Sequence, residues 1–157
     1  MGWVLSILVN GNKVPERVGK GSRWDLFEQV TDQIATKQGM SPGPGKEGQR
    51  IRKIMLSIYR NIRNPYLNIH YLSGKVLFMN EDYFGRLFIK IQKEKFSAFL
   101  AKRRITLAQR LLQYEPELKF SELAGIVGYS SDGQYFSKEF RRVAGMSPTE
   151  YRDTLKK

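Results

Sequence analysis

From Glu47 onward, apolar residues recur every three or four positions, the spacing of helices that each bury one face. Ile51, Met55, Ile58, Tyr59 and Ile62 mark the apolar side of a first helix, which Asn64-Pro65 stops. The pattern predicts a second helix over about 69–76 and a third over about 80–91. A long fourth helix is predicted over about 96–113, with Phe96, Phe99, Leu100, Leu107, Ala108, Leu111 and Leu112 on its apolar side, ending before Glu115-Pro116. A fifth opens near Ser121, and a sixth spans about 132–143. The seventh is announced by Ser147-Pro148-Thr149-Glu150. Ser caps the end, Pro takes the first turn where its missing N–H costs nothing, and Glu three residues on closes a capping box.

The first 45 residues have a different texture. Val4 to Val9 is β-prone and Asn10-Gly11-Asn12 reads as a turn. Trp24, Phe27, Val30 and Ile34 recur at helical spacing, which predicts a short amphipathic helix near 23–37. Gly39-Met40-Ser41-Pro42-Gly43-Pro44-Gly45 then reads as a linker. The domain boundary is placed there. Residues 1–45 are an N-terminal extension of unassigned role, and 46–157 an all-helical domain.

That domain repeats itself. Tyr83-Phe84-Gly85-Arg86-Leu87-Phe88 returns as Tyr135-Phe136-Ser137-Lys138-Glu139-Phe140, at an offset of 52 residues. Leu72-Ser73-Gly74-Lys75-Val76 returns as Leu123-Ala124-Gly125-Ile126-Val127, at an offset of 51. The slip of one places an extra residue in the second turn, within Ser130-Ser131-Asp132-Gly133-Gln134. Each copy has the logic of a helix-turn-helix. A short helix carries a small residue where two helices meet, Ser73 or Ala124, and an apolar residue three positions on, Val76 or Val127. A turn and a second helix follow. Gly128 is expected to supply the second turn with positive φ, while Leu77 stands at the corresponding place in the first.

The aromatic stripe suits a core, and Tyr83, Phe88, Tyr135 and Phe140 are assigned there. The residues beside it are candidates for reading base edges in a major groove, which admits one α-helix. In the first copy these are Asn80, Glu81, Asp82, Gly85 and Arg86; in the second, Asp132, Gln134, Ser137 and Lys138. Arg86 suits guanine, Gln134 suits adenine, and Glu81 or Asp82 can accept from the cytosine amino group. Asn80 and Ser131 equally suit helix caps. Arg103, Arg104, Arg141 and Arg142 are phosphate candidates, though exposed basic residues also suit a solvated face.

Charge points the same way. Lys and Arg number 27 against 15 Asp and Glu, a net charge of +12 that favours a polyanionic partner. There is no Cys, which excludes disulfides, thiolate metal sites and thiol nucleophiles. The single His70 has no carboxylate cluster beside it in sequence, and no metal, cofactor or catalytic constellation is expected. Trp3 to Val9 is too short to span a bilayer and lacks the features of a signal peptide, so a cytoplasmic protein is expected.

The run Ala124-x-x-Val127-Gly128-Tyr129, Tyr135-Phe136-Ser137-x-x-Phe140-Arg141-Arg142, Gly145-x-Ser147-Pro148-x-x-Tyr151-Arg152 resembles the C-terminal signature of the AraC/XylS family of bacterial transcription regulators. Arg104-Ile105-x-x-Ala108-x-x-Leu111-Leu112 is similar to that family's linking helix, and the whole match covers residues 50–155. Met79-Asn80-Glu81-Asp82-Tyr83 resembles output domains of AraC-type response regulators. The resemblance implies an all-α fold of seven helices. Two homeodomain-like helix-turn-helix lobes, over about 50–95 and about 114–155, are joined by the long fourth helix. It also implies sequence-specific binding to double-stranded promoter DNA, and recruitment or obstruction of RNA polymerase. Some DNA-repair methyltransferases carry a domain of this family, but they need a reactive Cys; with none here, and no paired carboxylates, phosphate loop or metal cluster, no enzymatic activity is expected. The alternative is a truncated output module of a two-component response regulator that occupies sites or partners without activating.

Two departures stand out. Lys93 occupies a turn position where the family often has Gly. The family's effector-binding or receiver region does not fit in 45 residues, so no small-molecule effector is carried over. Differing polar residues in the two copies imply an asymmetric site that a monomer can read.

Overall fold

In the computed structural model, residues 45–130 and 133–157 are described. The strand, turn and helix expected before Gly39, most of the linker, and Ser131 and Asp132 lie outside these residues. The described residues divide into two units at Arg60–Asn61. Helix α1 spans Lys46–Asn61 and makes up nearly all of the described part of the first unit, with Glu47 in its first turn and Arg60 in its last, the polarity that suits a helix dipole. Ile54, Met55, Ile58 and Tyr59 are buried at helical spacing.

The second unit holds α2 (Ile69–Tyr71, continued by a π-helical turn Leu72–Leu77), α3 (Glu81–Gln92), α4 (Phe96–Tyr114), α5 (Phe120–Ile126), α6 (Gly133–Ala144) and α7 (Pro148–Leu155). The described residues are thus all-helical, with seven helices in the expected order. α4 touches α3 on one side and α5, α6 and α7 on the other, so it links two lobes.

In lobe one, Leu72, Leu77, Phe84 and Phe88 are buried together with Phe96 and Phe99 from the start of α4. The four phenylalanines stack edge to face or tilted, with centroids 5.3–6.1 Å apart. In lobe two, Leu123, Ala124, Val127, Phe136 and Phe140 are buried. Phe140 continues the aromatic contact to Tyr151 of α7, with centroids 5.7 Å apart. α7 opens as its sequence dictates. The Glu150 N–H donates to Ser147 Oγ (3.2 Å), the Ser147 N–H donates to Glu150 Oε2 (2.6 Å), and Pro148 takes the first turn.

Two core assignments need correction. Tyr83 and Tyr135 are 42% and 55% exposed, whereas Phe84, Phe88, Phe136 and Phe140 are fully buried. A helix turns about 100° per residue, so adjacent Tyr-Phe cannot both face the core. The i, i+4 pairs 84/88 and 136/140 take it.

The turn between the two helices of each lobe differs from expectation in an instructive way. In lobe two, Gly128 has φ 92 as expected. Its N–H donates to Gly125 O (3.4 Å) and the Tyr129 N–H to Ala124 O (2.9 Å), a Schellman cap. In lobe one the left-handed residue is Phe78 (φ 52), not Leu77, and the Met79 N–H reaches back to Ser73 O (2.8 Å). Ser73 and Ala124 are equivalent at an offset of 51, but Met79 and Tyr129 at 50. The π turn therefore holds one inserted residue within α2. By Phe84 and Phe136 the offset is 52, so the lobe-two turn is two residues longer, not one.

Candidate nucleic-acid interface

The core faces of α3 and α6 determine which residues point away. Arg86 lies midway between Phe84 and Phe88, and Lys138 midway between Phe136 and Phe140, each on the side opposite the core. Glu81, Asp82, Arg86 and Lys90 are exposed on α3; Gln134, Lys138, Arg141 and Arg142 are exposed on α6. These two helices occupy the second position in each helix-turn-helix, and each presents one polar ridge.

Individual candidates differ in how far they are already engaged. Asn80 takes the capping role: its Oδ1 accepts the Tyr83 N–H at 3.0 Å. Glu81 Oε2 lies 2.8 Å from His70 Nδ1, a pairing across α2 and α3 that eleven residues of sequence separation conceal. Ser137 Oγ donates to Gly133 O at 2.7 Å, leaving the oxygen as an acceptor. Asp132 lies outside the described residues. Gly85 corrects the expectation of base contact. It is turned toward α2, and a Cβ there would come 3.2 Å from Ile69 Cδ1, so its smallness serves helix packing.

The four arginines separate more sharply. Arg141 is exposed. The Arg103 guanidinium carbon sits 5.0 Å from the Phe99 ring centroid. Arg142 grips Glu139 with two parallel hydrogen bonds, Nε to Oε1 at 3.0 Å and Nη2 to Oε2 at 2.8 Å. The hydrogen bond from Arg142 holds the Glu139 carboxyl below the usual range. Arg104 is the outright correction. It is 6% exposed and cannot meet a phosphate, because Nε and Nη2 donate to the Ile62 and Asn64 carbonyls at 3.0 and 2.7 Å. Burial pushes its pKa below the ordinary value, with Tyr129 opposing.

Tyr129, which the sequence marks only as part of the signature run, has a structural role of its own. It is buried beside Arg104, with the guanidinium carbon 5.5 Å from its ring centroid and Tyr135 5.8 Å away edge to face. Its hydroxyl has no hydrogen-bond partner, and burial, with Glu139 adding to it, pushes the phenol up to about 12. An open cleft of 1220 Å³ is lined by Gly85 and Ile89 of α3 and by Tyr135 and Arg142 of α6. Among the described residues there is no group of three or more potential metal ligands, and no helix is long and apolar enough to cross a membrane.

A family profile described as a helix-turn-helix domain matches residues 74–154, more than half of the chain. The "Uncharacterized transcriptional regulatory protein YesN" of Bacillus subtilis is 32% identical over 102 residues, 65% of this chain and 28% of that protein. The regulatory protein PocR of Salmonella typhimurium is 25% identical over 127 residues, 81% of this chain and 39% of PocR. The probable transcriptional regulator LumQ of Photobacterium leiognathi is 28% identical over 122 residues, 77% of this chain and 48% of LumQ. The chain thus spans less than half the length of each of these relatives. Among solved structures, the C-terminal domain of AraT, a response regulator from Geobacillus stearothermophilus, superposes with a TM-score of 0.62 at 29% identity, covering 66% of this chain and 84% of that one. The C-terminal domain of the two-component response regulator yesN from Fusobacterium nucleatum gives 0.61 at 28% identity, covering 66% and 98%. Sequence profile, relatives and fold agree: the chain belongs to the AraC-type helix-turn-helix family of DNA-binding transcription regulators.

Proposed function

We propose that this chain binds promoter DNA sequence-specifically by placing α3 and α6 in two successive major-groove segments. The observation that carries the reading is the equivalence of the two helices. Each sets an aromatic pair against the core and a polar ridge opposite, with different residues on the two ridges. In this reading Arg86 contacts guanine, Gln134 adenine, and Asp82 or Glu81 a cytosine amino group, while Lys138 and Ser137 complete the second reading face. Asp132 belongs to that face by its place in sequence. Arg103, Arg141 and Arg142 serve phosphates, and the net charge of +12 supplies salt-dependent affinity.

The domain that does this is 46–157, residues 1–45 being an extension to it. The chain occupies an asymmetric site that a monomer can read, in the cytoplasm, and recruits or obstructs RNA polymerase there. It binds rather than catalyses. Selection of duplexes from a random library tests the reading. Two short half-sites about one helical turn apart are expected. On the selected site Arg86→Ala is expected to cost about 1–3 kcal/mol of binding and relax discrimination in one half only, with Lys138→Ala acting in the other. Undiminished binding by both variants would remove the base-reading assignment.

A further inference from the structure

The loop after α1 and the turn after α5 are more than sixty residues apart, yet they meet around one buried side chain. Arg104, near the middle of α4, donates Nε to the Ile62 carbonyl and Nη2 to the Asn64 carbonyl, at 3.0 and 2.7 Å. Its other face lies over Tyr129, at 5.5 Å to the ring centroid. Gly128, just before Tyr129, approaches so closely that a Cβ there would stand 2.3 Å from Ile62 O and 2.8 Å from Arg104 Nε. A second contact runs in parallel: Arg63 Nε donates to Ile126 O at 3.1 Å. Residues 62–64 of lobe one are thus fastened to Ile126–Tyr129 of lobe two by two arginines. Neither contact is needed for covalent continuity, which α4 already provides.

The chemistry of the joint is one of orientation. A guanidinium is a rigid planar fork, and two carbonyls two residues apart fix its plane; the ring of Tyr129 then fixes which side it shows to lobe two. A lysine at the same place would be a flexible point donor and would fix none of these angles. Burying a guanidinium costs desolvation, and an apolar side chain of similar length would avoid that cost, so stability alone gives weak reason for an arginine here. From the joint the contact continues outward: Tyr129 meets Tyr135, which stands on α6 beside Gln134 and Lys138.

The geometry points to Arg104 and Gly128 as positioning residues that lock the two lobes in one relative orientation and so set the spacing between the DNA segments that α3 and α6 read. The consequence for spacing rests on the proposed DNA reading; the lock itself does not. Arg104 touches no base or phosphate, and acts through the placement of α6 relative to α3.

The chain has no cysteine, so two introduced ones label cleanly. Lys90→Cys on α3 and Asp153→Cys on α7, both exposed, carry spin labels in the full-length chain, and the distribution of label-to-label distances is measured without DNA. The parent is expected to give one narrow distribution, Arg104→Lys one about twice as broad, and Arg63→Gln an intermediate width. Far-UV circular dichroism reports whether each variant is folded. Arg63→Gln removes a half-exposed side chain and carries the test alone where Arg104→Lys does not fold. Folded variants with the parent's narrow distribution would overturn the lock.

A second measurement reads the consequence. Each protein selects from duplexes in which the two half-sites are separated by varied spacings. The parent is expected to prefer one spacing over its neighbours by about tenfold, and Arg104→Lys by less than about twofold while keeping the same half-site sequences. Equal weakening at every spacing, with the preference intact, would make Arg104 an ordinary stabilising residue and overturn the proposal. If the parent enriches no duplex, the DNA reading fails, and the distance distributions still decide the lock.

Discussion

In lobe two, α5 ends on Gly128 with two reciprocal cap hydrogen bonds, and the turn after α6 passes through Gly145 at φ 79. In lobe one the same two positions are Phe78 at φ 52 and Lys93 at φ 62. At the second of these positions the hydrogen bonds match: the Lys93 N–H donates to Ile89 O at 2.8 Å, and the Gly145 N–H to Arg141 O at 2.9 Å. The left-handed geometry is therefore imposed by the lobe and not by the residue. Lobe two satisfies it with glycine, which adopts it without steric cost. Lobe one forces it on side chains that resist it, by roughly 1–2 kcal/mol each. The lobes share their buried frame and differ at their hinges.

The shared frame makes the largest prediction. Phe84 and Phe136 are equivalent and fully buried. Phe84→Ala and Phe136→Ala should each cost about 3–5 kcal/mol, in urea titrations followed by far-UV circular dichroism. Near-equal losses would extend the equivalence from geometry to energy. A loss under about 1 kcal/mol in either lobe would show that its core collapses around the gap and that the lobes are not matched.

The hinges make the next. Gly128→Ala places a Cβ 2.3 Å from Ile62 O, on a backbone at φ 92. Neither the backbone carbonyl nor the bound Arg104 can yield cheaply, so a loss of about 3 kcal/mol is expected. Gly145→Ala meets nothing within 4 Å and should cost only the left-handed strain, about 1 kcal/mol. If the two glycines prove equally sensitive, contact at the joint contributes nothing and backbone conformation is the whole effect.

These contrasts also show what the sequence could carry. Helix ends were legible where local chemistry decides them: the Ser147 capping box, the stop before Glu115-Pro116, and Gly128 at positive φ. The seven-helix order followed from apolar spacing. The turn lengths were only half legible, because a residue inserted in α2 and two inserted after α5 leave a net offset of one. Exposure of Tyr83 and Tyr135 was decidable from the i, i+4 spacing of their phenylalanine neighbours, which the repeat of aromatics masked. At the site, sequence could mark Arg103, Arg104, Arg141 and Arg142 only as basic. Burial of Arg104 depends on carbonyls 40 and 42 residues away, and no local pattern encodes that.

Tyr129 gives a prediction that separates lobe two from lobe one, where Met79 takes its place at the cap. The Tyr129 hydroxyl is buried without a partner, which an apolar replacement of the same shape does not suffer. Tyr129→Phe should therefore stabilise the chain, by about 1 kcal/mol at neutral pH. The advantage should grow in alkali. A phenol raised to about 12 in the folded state keeps its proton while the unfolded chain loses its own near the ordinary value of 10. The contribution of the protonated phenol is thus fully present below pH 10 and lost as pH rises toward 12. Thermal unfolding of both proteins at pH 7 and pH 11 checks the sign, and a variant less stable than the parent at both would mean that the hydroxyl finds a partner in solution.

The smallest effects lie at the strained hinges of lobe one. Phe78 is 83% exposed and Lys93 is exposed, so neither side chain has core packing to lose. Glycine at either site relieves the left-handed strain but enlarges the freedom of the unfolded chain by about 0.4–1 kcal/mol. The net expectation for Phe78→Gly and for Lys93→Gly is a gain of about 0.5 kcal/mol each, opposite in sign to Gly145→Ala in lobe two. Denaturation midpoints at unchanged slope measure all three. Opposite signs in the two lobes would establish that one backbone geometry is held in both and that only the residue differs. Losses in both lobes would mean that lobe one has adapted to its side chains, with Phe78 and Lys93 holding their turns through contacts that glycine cannot make.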